Sequence, residues 1–306
     1  MISRLLGIRV FEVEVSSRCN VRCQFCPRHL MQDPGLMSQK TFSKLLNVFP
    51  FSDRTSLALV GMGEPLLNPL LPDFISQTKK QHSGLHVWVT TNGTLLDEEI
   101  TARLLNSGLD TLDVSFNGTE PSSYEGLMKG ANFEATLANI DRALEMKERS
   151  RSKVRLQVNF ILTQENASSE RDIKSFWRSR GIRHFRVQHM HNRGGRAHTR
   201  SMTGRNGAGL QGNKCMMFEV MPFVTWQGDV LYCSHDILRE HKLGNVGTES
   251  WETIERRRKA VVDQMKWPSM CQSCTDPQRH NIRKQIDKDV RTELLRRITG
   301  AFWGAL

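Results

Sequence analysis

Short apolar runs alternate with longer amphipathic segments between residues 10 and 192. The runs are rich in β-branched residues and predict six strands, at residues 10–16, 55–61, 85–90, 111–116, 154–161 and 184–190. Apolar residues at helical spacing predict helices between them, at residues 41–49, 70–81, 97–108, 133–148 and 170–181. Six strand–helix units in series predict an α/β fold with a parallel sheet, either open or rolled into a partial (β/α)6 barrel.

Several of the predicted strands alternate apolar and polar residues, although strands buried on both faces of a parallel sheet are usually apolar throughout. Because helices cover one face of such a sheet, the polar face must line an enclosed space that holds water or a ligand. We expect a barrel lumen that binds a polar ligand, and a sheet exposed to solvent on one side is the alternative. The candidate lining residues are Glu12, Glu14, Gln157, Asn159 and Gln188.

The sequence pattern changes after His191. Residues 193–213 are Gly-rich and basic and predict a linker or a lid. The following pattern predicts a β-hairpin with its turn at residues 227–229, a helix near 250–265 and an amphipathic C-terminal helix with a basic face. The predicted domains are a partial barrel over 1–192, the linker or lid over 193–213 and a small domain of a hairpin plus helices over 214–306.

Composition and charge narrow the setting of the protein. No apolar run in the 306 residues approaches the roughly 18 needed to span a bilayer, and the first residues carry no signal-peptide pattern, so we expect a cytoplasmic protein without a transmembrane segment. The net charge of +11, from 43 basic and 32 acidic residues, predicts attraction to an anionic molecule. Aromatic residues make up only 7% of the chain, which is a poor stacking platform, so nucleic acid is not expected as a partner.

The seven cysteines fall into two groups. Cys19, Cys23 and Cys26 lie within eight positions, and clustered thiols in a reducing compartment are usually metal ligands or catalysts. Three thiolates cannot close a structural zinc site, but they suit a 4Fe-4S cluster that leaves one iron open to an exogenous ligand. The second group could hold either an iron-sulfur cluster or a zinc ion, and consists of Cys215, Cys233, Cys271 and Cys274.

Four motifs occur in a characteristic order: CxxxCxxC at residues 19–26, GMGEP at 61–65, TTNGTLL at 90–96 and LDVSFNG at 112–118. Together they resemble the radical S-adenosylmethionine (SAM) superfamily, over about residues 8–192. The resemblance implies that the open iron binds SAM, and that reductive cleavage of SAM yields a 5′-deoxyadenosyl radical that abstracts hydrogen from a substrate. By the same resemblance, GMGEP would be the segment that holds the methionyl amino group, and LDVSFNG would approach the ribose. The implied cofactor contacts are Phe25, Gly63, Glu64, Pro65, Thr91, Asn92, Ser115, Asn117 and Asn159.

The second cysteine group resembles the Twitch subtype of the SPASM domain, which binds one auxiliary 4Fe-4S cluster, although four zinc-bound thiolates would use the same residues. No cysteine is then left over, and a fully ligated auxiliary cluster is suited to accept the second electron of an oxidation. The resemblance thus implies an oxidoreductase that converts an alcohol of a polar natural-product intermediate, such as a sugar or aminocyclitol, into a ketone. Radical epimerisation and peptide crosslinking remain the alternatives.

Candidate catalytic residues and partners follow from this interpretation. Arg193 or Arg196 would orient and acidify the substrate hydroxyl, and Glu14 is a candidate catalytic carboxylate of the lumen. The basic charge suits an anionic or carrier-linked substrate, and equally an acidic flavodoxin or a ferredoxin-type protein as electron donor.

Overall fold

The computed structural model describes residues 9–52, 54–162, 169–197 and 215–276. The strands in these residues are β1 (Arg9–Val13), β2 (Arg22–Cys23), β3 (Thr55–Leu59), β4 (His86–Thr91), β5 (Thr111–Ser115), β6 (Met128–Lys129), β7 (Arg155–Leu162), β8 (Phe185–His189), β9 (Phe223–Val224), β10 (Asp229–Leu231) and β11 (Lys242–Asn245). The α-helices are α1 (Gln39–Val48), α2 (Leu71–Gln81), α3 (Glu98–Asn106), α4 (Pro121–Leu127), α5 (Phe133–Arg149), α6 (Glu170–Ser179), α7 (Met216–Val220), α8 (Trp251–Gln264) and α9 (Ser269–Ser273). The predicted C-terminal helix and most of the predicted linker lie outside the described residues.

The main sheet has the strand order β11-β10-β9-β1-β3-β4-β5-β7-β8. Its six long strands from β1 to β8 are parallel and neighbour one another in chain order, which confirms the predicted series of strand–helix units. Right-handed crossovers of such units place each new strand beside the previous one.

The sheet is curled rather than flat. Glu12 on β1 and Arg186 on β8 are five strand spacings apart, which would be about 24 Å in a flat sheet. The positive charge of Arg186 nevertheless acts on Glu12 and opposes the rise of its pKa. The polar faces of the first and last parallel strands therefore turn toward a common interior, as predicted for a partial barrel.

Helix boundaries follow from side-chain caps. The side chains of Ser38, Asp97, Asn132 and Ser250 accept hydrogen bonds from backbone amides three residues onward, at the starts of α1, α3, α5 and α8. Apolar faces of the helices then cover the outside of the sheet, and Phe42 of α1 stacks on Phe74 of α2 with ring centroids 4.2 Å apart. No helix in the described part of the chain is both long and apolar enough to cross a membrane.

The small C-terminal unit continues the barrel sheet. The β9–β10 hairpin forms with Gly228 in the left-handed region at φ 87°, and β9 pairs in parallel with β1, with Glu12 opposite Phe223. Trp251 of α8 packs edge-on against Phe11 of β1 at 5.4 Å and against Phe49 at 5.1 Å. The two predicted domains thus share both a sheet and an aromatic core.

The described start of the predicted linker is docked on the C-terminal unit. The Asn192 side chain donates to Ser273 O at 2.6 Å and accepts from the amide of Thr275 at 3.0 Å. Gly195 packs so closely that an added Cβ would lie 2.7 Å from Ser273 Oγ. Asn192 and Gly195 therefore pack against the end of α9 and the residues after it, which carry the last two cysteines.

Candidate active site

The first three cysteines lie on the segment that follows β1. The amide of Cys26 donates to Cys23 O at 3.1 Å, and β2, which includes Cys23, pairs with β6. Burial, together with the neighbouring Cys26 and Cys19 thiols, raises the pKa of Cys23 to about 12. Such thiols become thiolates together when they bind a metal centre, because metal ligation requires the deprotonated form.

Asn92, predicted as a cofactor contact, holds the cysteine segment. Its Nδ2 lies 3.9 Å from Cys19 Sγ and donates to Asn20 Oδ1 at 2.9 Å. Its Oδ1 accepts hydrogen bonds from the backbone amide and the hydroxyl of Thr94. Asn92 therefore positions the first cysteine. Phe25, which precedes the third cysteine, is half-buried.

Glu64 of the GMGEP motif is buried, and protein donors engage both of its carboxylate oxygens. Oε1 accepts from the Leu66 amide at 3.0 Å and from the Thr91 hydroxyl at 2.6 Å, and Oε2 accepts from the Asn92 amide at 2.7 Å. Burial raises the pKa of Glu64, whereas these three donors lower it. Glu64 and Thr91 thus tie the segment after β3 to the end of β4.

Gly63 allows the GMGEP segment to pack directly on the backbone before Cys19. An added Cβ at Gly63 would lie 2.3 Å from Ser16 O and 2.5 Å from Arg18 O. The amide of Glu64 donates to Arg18 O at 2.7 Å in the same contact, and the buried Pro65 begins a short 3-10 helix. The motif therefore fixes the path of the chain into the cysteine segment.

We expect Gly63→Ala to destabilise the apoprotein by about 1–3 kcal/mol or more, because backbone atoms cannot yield to the added methyl group as a flexible side chain can. Gly84→Ala is the matched control, since no atom lies within 4 Å of its added Cβ. Urea unfolding of both variants measures the effect. Equal stability of the two variants would contradict the close contact.

The predicted ribose contacts fall into two kinds. Asn117 is held by the fold, because its Oδ1 accepts from the Ile161 amide at 2.8 Å and its Nδ2 lies 3.4 Å from Met128 Sδ. Ser115 and Asn159 are register partners on β5 and β7. Asn159 Oδ1 is buried and accepts no hydrogen bond from the described residues. A buried acceptor without a donor suits a ligand hydroxyl at this place.

Charged and polar groups of four strands meet in the lumen around Asp113 on β5. Its Oδ1 accepts from Gln157 at 3.1 Å, and its Oδ2 lies 3.3 Å from the Thr90 hydroxyl and 3.6 Å from Arg186 Nη1. Burial raises the pKa of Asp113, and Arg186 opposes this rise. The predicted polar lumen is therefore present, and its side chains bind one another across the strands.

The two glutamates of β1 differ in their surroundings. Glu14, predicted as catalytic, forms a buried ion pair with Arg239 at 2.9 Å and accepts from the Met62 amide at 3.3 Å, so the structure places it in a link between barrel and C-terminal unit. Glu12 accepts a hydrogen bond from the hydroxyl of Ser234, the residue after Cys233. Burial raises the pKa of each glutamate to about 7. Glu12 is therefore hydrogen-bonded next to Cys233, whereas Glu14 is paired with Arg239.

The four later cysteines surround one pocket of about 300 Å³, including its open mouth, which Gly194, Met217, His235 and Met270 also line. Cys215 and Cys274 are buried, and Cys233 and Cys271 are half-buried. Burial raises the pKa of Cys233 well above its usual range, and the three other thiols add to this rise. The structure therefore brings together the four residues that the sequence predicts as one ligand set.

The distances between these four sulfurs bear on whether they could hold a zinc ion or an iron-sulfur cluster. Sulfur ligands of a tetrahedral zinc ion lie about 3.8 Å apart, because Zn–S bonds are about 2.3 Å long. In the described residues, no three cysteine sulfurs lie within 4.8 Å of one another, although two groups of His, Asp and Glu ligand atoms do. The described cysteines therefore do not form a closed tetrahedral zinc site in this structure.

The two candidate arginines are placed differently. Arg193 has a left-handed backbone at φ 48°, and its charge acts on Glu12 in the lumen. Arg196 is exposed and forms an ion pair with Glu240 at 3.3 Å. Arg193 therefore lies near the lumen, whereas Arg196 lies at the surface.

The sequence interpretation missed a buried group between the lumen and the second cysteine set. Asp276 Oδ2 lies 3.4 Å from His191 Nε2 and 3.3 Å from His235 Nε2. The negative charge of Asp276 also raises the pKa of Glu12. These residues come from three separate loops without a shared spacing, and the only available signal was the position of His235 and Asp276 two residues after a cysteine.

Two family models match the chain. That of the Radical SAM superfamily matches residues 13–158, and that of SPASM, an iron-sulfur cluster-binding domain, matches residues 215–275. The chain therefore contains a radical SAM domain followed by a SPASM domain. A SAM-binding 4Fe-4S cluster and an auxiliary 4Fe-4S cluster are the cofactors that these domains imply.

Curated relatives match about half of the chain. A probable GTP 3′,8-cyclase of Methanococcus maripaludis is 31% identical over 156 residues, which are 50% of this chain and 50% of that protein. A tungsten-containing aldehyde ferredoxin oxidoreductase cofactor-modifying protein of Pyrococcus furiosus is 27% identical over 157 residues, 50% of this chain and 44% of that protein. The chain thus spans about half the length of these relatives.

Solved structures match more of the chain at lower identity. BtrN in complex with AdoMet and 2-DOIA has a TM-score of 0.61 at 20% identity and covers 88% of this chain and 94% of its own. Native anSMEcpe with bound AdoMet has a TM-score of 0.62 at 15% identity, covering 87% and 88%. Streptococcus suis SuiB bound to the precursor peptide SuiA has a TM-score of 0.63 at 12% identity, covering 84% and 67%. At these identities the likeness establishes a shared fold.

Proposed function

We propose that this chain is a radical SAM oxidoreductase that abstracts hydrogen from a polar small molecule and oxidises an alcohol to a ketone. Cys19, Cys23 and Cys26 would hold the SAM-binding cluster, and the four cysteines around the second pocket would hold the auxiliary cluster. When bound, these cofactors supply a strong abstractor of hydrogen atoms and an acceptor for one electron. The thiol groupings and the buried acceptor of Asn159 support this assignment.

One observation carries the oxidative interpretation: the lumen adjoins the second cysteine pocket through a short chain of contacts. Glu12 faces the lumen and accepts a hydrogen bond from the side chain of Ser234, which follows Cys233 in the chain. An acceptor of the second electron must lie close to the substrate, and a proton acceptor must reach the substrate hydroxyl. Both groups converge at this end of β1. The sequence also contains no eighth cysteine to return a hydrogen atom.

Side chains of the protein would accept the proton, orient the substrate and bind its polar groups. Glu12 would accept the hydroxyl proton, since its raised pKa of about 7 matches neutral working conditions. Arg193 would orient the oxygen by a charge-assisted hydrogen bond. Asp113 and Arg186 would bind further polar groups of the substrate, and the link between Glu14 and Arg239 would keep the C-terminal unit against the lumen.

The lumen suits a polyhydroxylated or amino-substituted substrate. It combines three buried carboxylates, Glu12, Asp113 and Asp276, with the cations Arg186 and Arg193. The overall charge of +11 therefore does not describe the binding site, and an acidic flavodoxin or ferredoxin-type electron donor accounts for it equally well.

The test supplies the reconstituted, reduced enzyme with SAM and a panel of sugars, aminocyclitols and their phosphorylated or nucleotide-linked forms. We expect one 5′-deoxyadenosine for each ketone, which is trapped as an oxime and identified by mass spectrometry. A Cys271→Ala/Cys274→Ala variant is expected to form 5′-deoxyadenosine with little ketone. Solvent deuterium at an epimerised carbon would establish the epimerase instead, and a product only from peptide substrates would establish peptide modification.

A further inference from the structure

His235 contacts two of the four cysteines that would hold the auxiliary cluster. Its backbone amide donates to Cys233 Sγ at 3.4 Å, and its ring Nδ1 lies 3.8 Å from Cys274 Sγ. A cluster-bound thiolate carries no hydrogen, so a hydrogen bond at this place must be donated by the ring. Among the residues that line the pocket, His235 thus contacts one sulfur through its backbone and a second through its side chain.

Asp276 fixes the direction of the His235 ring. Its Oδ2 lies 3.3 Å from His235 Nε2, on the side of the ring opposite Cys274, and both side chains are more than nine-tenths buried. The ring of His191 packs against that of His235 with centroids 4.7 Å apart. The ring therefore donates from Nε2 to the Asp276 carboxylate and from Nδ1 to the Cys274 sulfur, as an imidazolium does, and it cannot turn away from the sulfur without losing both contacts.

His191 in turn holds Asp276. The amide of Arg193 donates to His191 Nδ1 at 3.3 Å, which leaves Nε2 as the nitrogen that donates to Asp276 Oδ2 at 3.4 Å. Burial, with the charges of Arg193 and His235, lowers the pKa of His191 and keeps this ring neutral. The three side chains form one hydrogen-bonded series that starts at the lumen arginine and ends at Cys274.

We propose that His235, oriented by Asp276, is a positioning residue that raises the reduction potential of the auxiliary cluster. The inference rests on the proposed function, because it takes the four cysteines as cluster ligands. N–H groups directed at cluster sulfurs stabilise the reduced, more negative state. A higher potential favours the transfer of one electron from the deprotonated substrate radical to the oxidised cluster, which is the electron that leaves when the ketone forms.

The test measures the midpoint potentials of both clusters by electron paramagnetic resonance during a dye-mediated redox titration, without substrate. We expect His235→Leu to lower the one-electron reduction equilibrium constant of the auxiliary cluster at least tenfold, which corresponds to 59 mV. His235→Asn, whose amide can donate from near the position of Nδ1, should recover much of the difference, and Asp276→Asn should give an intermediate shift. The SAM-binding cluster in the same sample is the internal control and should not change.

The outcomes separate this inference from the proposed function. Eight irons per chain with an unchanged auxiliary potential in His235→Leu would overturn the inference and leave the cluster assignment intact. Loss of the auxiliary iron in both the Leu and the Asn variants would overturn it as well, because His235 would then serve only to build the site. A wild type that holds four irons and one zinc ion would instead overturn the proposed function.

Discussion

A Cys19→Ala/Cys23→Ala/Cys26→Ala variant is expected to lose SAM cleavage completely while it retains about four of eight irons. The three thiols of this segment belong to a different group from the four around the second pocket, so their removal should leave the auxiliary cluster in place. Iron and sulfide analysis after anaerobic reconstitution, with quantification of 5′-deoxyadenosine, measures both effects.

The reciprocal variant, Cys271→Ala/Cys274→Ala, is the control for this experiment. It should also retain about four irons, but its remaining resonance signal should change when SAM is added, whereas that of the triple variant should not. If the triple variant still cleaved SAM, or lost all of its iron, the assignment of the two cysteine groups to two independent clusters would be wrong.

Glu12→Gln is expected to lower kcat/KM by a factor of about 10² to 10⁴, the usual contribution of a positioned base. In the wild type, kcat/KM should rise as the pH increases through about 7, because Glu12 must be ionised to accept the proton and burial raises its pKa to that value. This rise should be absent in the variant. Glu240→Gln is the matched control, since Glu240 is exposed and pairs with Arg196.

The same substitution should increase the stability of the apoprotein at high pH. The pKa of Glu12 is raised in the fold from 4.5 to about 7, so its contribution to stability is complete below 4.5 and is lost as the pH rises through 7. Glu12→Gln should therefore exceed the wild type by up to about 3 kcal/mol at pH 8.5 and equal it near pH 4.5. A variant that is both inactive and less stable at pH 8.5 would indicate a packing role for Glu12.

The order of the parallel strands could be predicted because each strand–helix unit adds its strand beside the last. The polar lumen could be predicted from alternation alone, as Asp113 and Gln157 illustrate. The pairing of β9 with β1 could not, because the hairpin pattern around Gly228 specifies a turn but not the sheet edge that the hairpin meets.

The grouping of the cysteines could be predicted because their spacing is a property of the chain. The partners of Glu64 and Glu14 could not be predicted, because a motif gives the type of a residue and not the donors that surround its carboxylate. The Glu64 carboxylate accepts hydrogen bonds from three protein donors, and Glu14 forms an ion pair with an arginine 225 positions later. His191 and Asp276 were missed for the same reason, since only the fold brings their loops together.

The parallel pairing of β9 with β1 also affects how the chain folds during translation. Glu12 and its partner Phe223 are 211 positions apart (223 − 12), which a ribosome covers in about 10–40 s at 5–20 residues per second. Throughout that interval one edge of β1 has no strand beside it, and Phe11 lacks the cover that Trp251 later provides. In the nascent barrel, β1 is therefore paired on both edges only after the C-terminal unit has been synthesised. The yield of folded protein should depend on what covers that edge during translation.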